Sequence, residues 1–89
     1  MMKKRQLEQI VRGFSNHRRI EILDLINTTP ELSVVEIAEK LKINFKTASS
    51  HLKRLTMAGL VMKKSQAKSI RHKLSPRGST ILTFLRTLE

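Results

Sequence analysis

The chain has 89 residues, with eighteen Lys and Arg against seven Asp and Glu, a formal net charge of +11 and a pI near 11.1. This length fits one domain around one core. The absence of cysteine excludes disulfides, thiolate metal sites and cysteine nucleophiles. No apolar run approaches the ~18 residues of a membrane span, and MMKKR leads into no signal-peptide core. We therefore expect a soluble, cytoplasmic protein formed by a single domain over residues 1–89.

The charge is distributed unevenly along the chain. Six of the seven acids precede residue 40, whereas the segment from Lys40 to Leu88 holds twelve Lys or Arg and no acid. A surface selected for solubility alone usually mixes both signs. A half of the chain in which all charged residues are basic is typical of a protein that binds a polyanion. We therefore expect the partner to be a nucleic acid, ahead of a membrane surface or an acidic protein.

The first part of the chain predicts two helices. Apolar residues at positions i, i+3, i+4 and i+7 predict a helix over about residues 5–14. A second helix follows over about 16–27, with Ser15 or Asn16 as its N-cap. Its apolar residues cover most of the circumference, which indicates a central position with neighbours on several sides.

A short third helix follows a turn. Pro30 keeps the preceding residue out of the helical region and so predicts the turn. Ser33 and Glu36 then form a capping-box pattern, which predicts a helix of about two turns over 34–41.

The fourth predicted helix has two contrasting faces. It spans residues 44–58, with Asn44 as N-cap and Gly59 as the left-handed residue that ends it. One narrow arc is apolar and faces the core. Small polar side chains let a helix approach a groove closely, and hydroxyls and cations hydrogen-bond bases and phosphates. Such residues form the opposite face: Lys46, Thr47, Ser49, Ser50, Lys53 and Arg54.

Two strands and a final helix complete the chain. LVMKKS and SIRHKL predict a hairpin in which Ile70, His72 and Leu74 point to the core. Ser75 then caps a helix over 76–88, with Pro76 at its first position. The hairpin is a cationic arm whose basic residues are Lys63, Lys64, Lys68, Arg71 and Lys73.

This order of elements resembles a winged helix-turn-helix domain. The likeness is carried by ELSVVEIAEKLKINFKTASSHLKRLTMAGLV, the hairpin and LSPRG, and it covers roughly residues 7–88. SSHLKRLTMAGLV resembles the end of the recognition helix in ArsR-like transcriptional repressors, and FSNHRRIEILDLI is similar to their second-helix opening. MarR-type domains share much of the pattern. The resemblance implies a mainly α fold of five helices with a two-stranded β-hairpin as the wing.

The resemblance also implies how the protein would meet DNA. The recognition helix 44–58 would enter the major groove, and the wing 62–74 would reach the flanking backbone or minor groove. Within the helix, Lys53 and Arg54 lie where the family usually reaches phosphates. The remaining implied contacts are Lys46, Thr47, Ser49 and Ser50 in the major groove and Lys64, Lys68, Arg71 and Lys73 on the wing.

Two further residues are candidate DNA contacts. Phe45 stands where the family often has a polar residue such as Gln. Its ring could contact a thymine methyl group, but its position beside Leu52 on the helical wheel favours packing into the core. His51 flanks the buried arc, where it either contacts DNA or only braces the helix.

The terminal helices, about 5–14 and 76–88, would form a homodimer interface according to the same resemblance. The alternative is that their apolar stripes complete the core of each monomer. The residues concerned are Leu7, Ile10, Val11, Phe14, Ile81, Leu85 and Leu88.

A metal site, a cofactor and an enzymatic activity are not expected. Many relatives sense metals through cysteines in the third helix or through acid and histidine in the last, and neither set is present. His17, His51 and His72 are isolated from one another. No nucleophile–base set and no phosphate loop is visible.

We therefore expect a sequence-specific, homodimeric DNA-binding transcriptional regulator, and specifically a repressor. One alternative is an architectural protein that coats nucleic acid without reading its sequence. A less favoured alternative is a winged domain used for protein interaction. Such domains commonly lose the basic face of the recognition helix, whereas this chain retains it. The sequence specifies no operator, target gene or effector.

Overall fold

The computed structural model describes residues 1–89 and contains five α-helices and one antiparallel hairpin. The order of elements predicted from the sequence is confirmed, and no boundary differs from its prediction by more than one residue. The winged helix-turn-helix fold is confirmed with it. The elements are α1 (Lys4–Phe14), α2 (His17–Thr28), α3 (Val34–Leu41), α4 (Phe45–Met57), β1 (Val61–Gln66), β2 (Ser69–Leu74) and α5 (Pro76–Thr87).

Side-chain caps fix where four of the helices begin. Of the two candidates before α2, Asn16 is the cap, and its Oδ1 accepts hydrogen bonds from two backbone N–H groups of the first turn. Ser33 and Glu36 form the predicted capping box of α3, each accepting from the other's backbone N–H. Asn44 and Ser75 cap α4 and α5 in the same way. These bonds satisfy N–H groups that have no partner within the helix.

The core is a cluster of thirteen buried residues around α2. Ile22, Leu23 and Ile26 of α2 are almost completely buried. The helix packs against α3, α4, α5 and β2, so its predicted central position is confirmed. Leu52 and Leu55 of α4 also enter this core, which leaves the opposite face of α4 free to meet a partner.

The wing is anchored to the core through His72. Its backbone N–H donates to the Leu32 carbonyl at 3.0 Å, and its carbonyl accepts from the N–H of Glu31 at 2.9 Å. Nδ1 of His72 also lies 2.8 Å from the Leu32 carbonyl. Because a carbonyl only accepts, Nδ1 carries the proton. The segment before α3 thereby pairs with β2 through a single antiparallel bridge between Leu32 and His72.

The inward direction predicted for β2 is right for two residues and wrong for one. His72 and Leu74 are buried, but Ile70 is exposed. Ile70 pairs with Ser65 near the distal end of the hairpin, where the strands have already passed beyond the core. None of residues 62–71 is buried, so no apolar layer remains for Ile70 to contact.

The chain turns sharply where α4 ends. Gly59 adopts the predicted left-handed conformation, with φ +76°, and the N–H of Leu60 then bonds to the carbonyl of Leu55 at 2.9 Å. The hydroxyl of Ser75 donates to the Gly59 carbonyl. The start of α5 is thus joined to the end of α4, and the wing extends from this junction.

Candidate nucleic-acid interface

The outer face of α4 brings together the residues that the sequence predicted as major-groove and phosphate contacts. Ala48, Leu52 and Leu55 hold the helix against the core. All six predicted residues of the opposite side are exposed, namely Lys46, Thr47, Ser49, Ser50, Lys53 and Arg54. The face combines hydroxyl groups with three positive charges and contains no acid.

The positive charges of α4 have no acidic partner. The structure contains five ion pairs, and none of them includes a residue of α4. Lys46, Lys53 and Arg54 therefore have their full charge available to an external anion. A cation that is already exposed and unpaired can bind a phosphate without first losing an internal salt bridge.

The cations of the wing differ in whether they have an ion-pair partner. Lys68 and Lys73 are exposed without an ion-pair partner. Nζ of Lys64 lies 3.9 Å from a carboxylate oxygen of Glu31, and both side chains are largely exposed, so this pair is weak. These three lysines extend the positive surface from α4 along the hairpin.

Arg71 is held by α3 rather than projecting into solvent. Its Nη1 donates to Oε1 of Glu36 at 2.5 Å and lies 3.4 Å from the Glu31 carbonyl. Hydrogen bonds with Ser33 lower the pKa of Glu36, and the charge of Arg71 lowers it further. The carboxylate therefore stays ionised and fastens β2 to the start of α3.

Phe45 does not pack into the core, so the core interpretation favoured by the sequence is wrong. Its side chain is 54% exposed. Phe45 is the first residue of α4, and the first buried position of the helix comes three residues later, at Ala48. The opening turn therefore projects beyond the apolar cluster, and the ring lies among the exposed residues of the helix start.

His51 lies at the edge of the buried arc, within a cluster of positive groups. Desolvation lowers its pKa, and Arg19, Arg54, His17 and Arg18 lower it further. Burial and the nearby Arg54 also lower the pKa of Arg19, whose Nε and Nη1 are buried without a hydrogen-bond partner. The start of α2 thus adds positive charge beside α4.

Sequence reasoning assigned no role to Arg18 and Arg19. The available signal was the run HRR directly after the N-cap Asn16. Arg18 also forms an ion pair with Glu21, one turn along α2, at 3.2 Å. Arg19 has no acidic partner, and it is the residue that we add to the candidate interface.

An open groove adjoins the positive face of α4. It has a volume of about 810 Å³ and lies between α1, the second half of α4 and the start of α5. None of the residues that line it is acidic. Its cationic lining consists of Arg12, Lys53, Arg54 and Arg77.

The structure divides the residues predicted for a dimer interface into two groups. Leu7, Val11 and Leu88 are exposed on α1 and at the end of α5. The other four contact the core of their own chain: Phe14 is buried, and Ile10, Ile81 and Leu85 are partly buried. Phe84 is exposed on α5 and was absent from the predicted set, although its place on the apolar face of that helix was visible in the sequence.

The fold contains neither a cluster of metal-binding side chains nor a membrane-spanning helix. Nowhere do three or more His, Cys, Asp or Glu side chains gather in a way that could hold a metal ion. None of the five helices has both the length and the apolarity that crossing a membrane requires.

Comparison with known proteins identifies the family. Residues 16–63, which include α2, α3, α4 and the start of the wing, match the family described as bacterial regulatory protein, arsR family. The chain belongs to the ArsR family. The resemblance predicted from the sequence is thereby confirmed, and no curated protein matches the chain.

Solved structures agree with this assignment. A winged helix-turn-helix DNA-binding domain from Mycobacterium bovis, described as homodimeric and as a possible ArsR-family regulator, is similar with a TM-score of 0.84 and 25% identity, covering 93% of this chain and 77% of that one. HlyU from Vibrio cholerae N16961 has a TM-score of 0.83 and 28% identity, covering 99% and 97%. A MarR family protein from Bacillus stearothermophilus, at 20% identity and a TM-score of 0.77, covers 94% and 60% and shares the fold.

This ArsR-family protein is therefore a transcriptional regulator built on a DNA-binding winged helix-turn-helix fold. Its family and fold are those of regulators, which are not enzymes. The matched segment contains the whole of α4, the helix that carries the unpaired cationic face.

Proposed function

We propose that this ArsR-family regulator is a homodimeric repressor that binds a specific double-stranded DNA sequence. The observation that carries the proposal is the outer face of α4, where hydroxyl groups and three unpaired cations are exposed together. A helix with small polar and cationic side chains suits the major groove, because that groove presents both hydrogen-bonding base edges and flanking phosphates.

The residues of this surface would have different tasks. Near the start of α4, Lys46, Thr47, Ser49 and Ser50 would reach base edges, because N-terminal residues of a recognition helix make such contacts. Lys53 and Arg54, further along the helix, would bind phosphates. His51 and Arg19 border the same face. On the wing, Lys64, Lys68 and Lys73 would reach the flanking backbone or minor groove, with Arg71 holding the hairpin in place.

The exposed apolar residues of the terminal helices support the dimer. Leu7, Val11, Phe84 and Leu88 are exposed in the monomer, and a second copy would remove them from water. The similar domain from Mycobacterium bovis is described as homodimeric. A symmetric dimer would place its two recognition helices about 34 Å apart, one turn of DNA, and would therefore favour a palindromic site.

The test is a titration of labelled duplex DNA followed by fluorescence anisotropy over a series of salt concentrations. One duplex carries the DNA just upstream of the protein's own gene, and the other is a scrambled duplex of the same composition. A preference for the upstream duplex that persists at physiological salt is the expected result for a regulator of its own gene. Reporter expression that rises when the protein is removed would then establish repression.

Other outcomes favour other functions. Equal and salt-sensitive binding to both duplexes would favour an architectural protein, unless a pool of genomic fragments yields a preferred site elsewhere. Absence of binding even at low salt would contradict the proposal and favour a protein-interaction module. The salt series is essential because phosphate contacts alone give strong binding at low salt.

A further inference from the structure

The side chain of Phe45 differs from everything around it on the candidate interface. It is 54% exposed, whereas its exposed neighbours Lys46, Thr47 and Ser49 are polar or charged. A single exposed apolar residue is common on protein surfaces. Phe45, however, is the first residue of α4, in the turn that would approach the base edges if α4 is the recognition helix.

The opening turn of α4, which carries the ring, is held in place by two contacts. Oδ1 of Asn44 accepts a hydrogen bond from the N–H of Lys46 at 2.7 Å and so fixes the opening turn. Ala48, three residues on, is completely buried and anchors the same turn to the core. The ring therefore projects from a rigid part of the helix.

The chemistry of the major groove restricts what such a ring can contact. Three of the four bases present only hydrogen-bond donors and acceptors there, whereas thymine also presents its C5-methyl group. A phenyl ring forms no strong hydrogen bond, so packing it on polar base edges would leave those edges unpaired and dehydrated. Contact with a methyl group removes apolar surface from water on both sides.

We infer that Phe45 is a specificity-determining residue that packs its ring against the C5-methyl group of a thymine in each half-site. The inference rests on the proposed function, because it requires α4 to lie in the major groove. Ser49, four residues further along the helix and therefore on the same face, would hydrogen-bond the adjacent base pair. The thymine contact thus supplies an apolar element in a face that is otherwise polar.

The experiment has two stages. Binding sites are first selected from a random duplex pool with the wild-type protein and with Phe45→Ala. Each thymine of the wild-type site is then replaced in turn by deoxyuridine, which removes only the methyl group and keeps every hydrogen-bonding group. Affinities are measured by anisotropy at physiological salt.

We expect the wild-type protein to select thymine at one position of each half-site. Deoxyuridine at that position should weaken wild-type binding about threefold to tenfold for each methyl group lost, as expected for the removal of one buried methyl. Phe45→Ala should bind the thymine and deoxyuridine duplexes equally and lose the preference. Phe45→Leu, which keeps an apolar side chain, should retain part of it.

The control variant is Ile70→Ala, which removes an exposed apolar side chain from the wing. It should keep the full deoxyuridine effect. The inference is overturned if the wild-type protein tolerates deoxyuridine at every position, or if Phe45→Ala retains the same penalty. A wild-type protein that binds tightly but selects no sequence overturns the proposed function itself, which separates that failure from the failure of the thymine contact.

Discussion

Two cations of the candidate interface, Lys46 and Arg71, have the same charge and different surroundings. Lys46 is exposed and has no acidic partner. Arg71 forms an ion pair with Glu36, which lies 35 residues away in the chain. A free cation attracts a phosphate with its whole charge, whereas part of the charge of a paired cation is already compensated. If α4 and the wing bind DNA as proposed, residue type alone would therefore overstate the contribution of Arg71.

We expect Lys46→Ala and Arg54→Ala each to weaken DNA binding about fivefold or more. For Arg54→Ala the slope of log K against log salt should also fall by about one unit, because one phosphate contact is lost. Arg71→Ala should weaken binding with a smaller change in slope, since it acts mainly through the position of the wing. Anisotropy titrations over a salt series measure both quantities.

The matched control for these variants is Lys4→Ala, which removes an exposed lysine of α1 outside the proposed contacts. It should leave the affinity close to that of the wild-type protein. Unchanged affinity for both Lys46→Ala and Arg54→Ala would exclude this face of α4 as the DNA-binding surface.

Two histidines make the stability of the fold depend on pH. Burial lowers the pKa of His72, against the opposing effect of its bond to Leu32, and Lys63 lowers it further. Burial and nearby cations lower the pKa of His51. Both shifts are downward from the ordinary value of 6.5, so below that pH the unfolded chain binds more protons than the folded one. Stability is then present above pH 6.5 and is lost as the pH falls below it.

We therefore expect the midpoint of urea denaturation to be lower at pH ~5 than at pH ~7.5. His72→Gln and His51→Gln should each reduce this difference, whatever they do to stability at neutral pH, because each removes one group that binds a proton on unfolding. A pH difference of undiminished size in both variants would refute the assignment to these histidines.

At the scale of elements, α5 makes a very close backbone contact with Leu60, the residue just before β1. Gly78 lies in the first turn of α5, and a methyl group added there would overlap the Leu60 carbonyl oxygen. That carbonyl also accepts a hydrogen bond from the N–H of Ser75 at 3.0 Å, so it cannot easily move away. The docking of α5 therefore depends on the absence of a side chain at residue 78.

Gly78→Ala should lower the free energy of unfolding by about 1–3 kcal/mol through this overlap. The neighbouring Ser79 is exposed, and Ser79→Ala should instead be neutral or slightly stabilising, because alanine has the higher helix propensity. Urea denaturation of the two variants gives the comparison. Equal stability of the two variants would mean that the start of α5 can move away from Leu60 without loss of stability.

The element boundaries could be predicted because their causes are local. Asn16, Ser33, Asn44 and Ser75 each satisfy N–H groups two or three residues ahead, so the sequence neighbourhood contains the whole interaction. The alternation of β2 was also visible locally. The burial predicted from this alternation was wrong at Ile70, because the extent of the core, rather than the strand pattern, decides whether such a position is buried.

At the scale of the whole molecule, the exposed apolar residues of α1 and α5 decide how two copies would meet. Val11 and Phe84 are each about half exposed, so glutamate at either position leaves the monomer core intact. We expect Val11→Glu combined with Phe84→Glu to convert a dimer into a monomer, as measured by light scattering after size-exclusion chromatography.

The same double variant should bind a palindromic site about 100-fold more weakly or worse, because the second half-site no longer benefits from a tethered partner. Val35→Glu, which alters an exposed valine of α3, serves as the control for oligomeric state and should remain dimeric. If the wild-type protein is itself monomeric at the same concentration, the terminal helices are not an interface between copies.

The sequence by itself determined the order of elements, their caps, the two-faced character of α4 and the likeness to the ArsR family. These features depend on periodicity, on neighbours within one turn and on the composition of one half of the chain. The tertiary structure alone decided that Phe45 is exposed, that Arg71 is paired with Glu36 and that Arg19, which is partly buried, lies beside Arg54. Each of these outcomes depends on residues far apart in the chain or on where the core ends. A local sequence pattern contains no information about either.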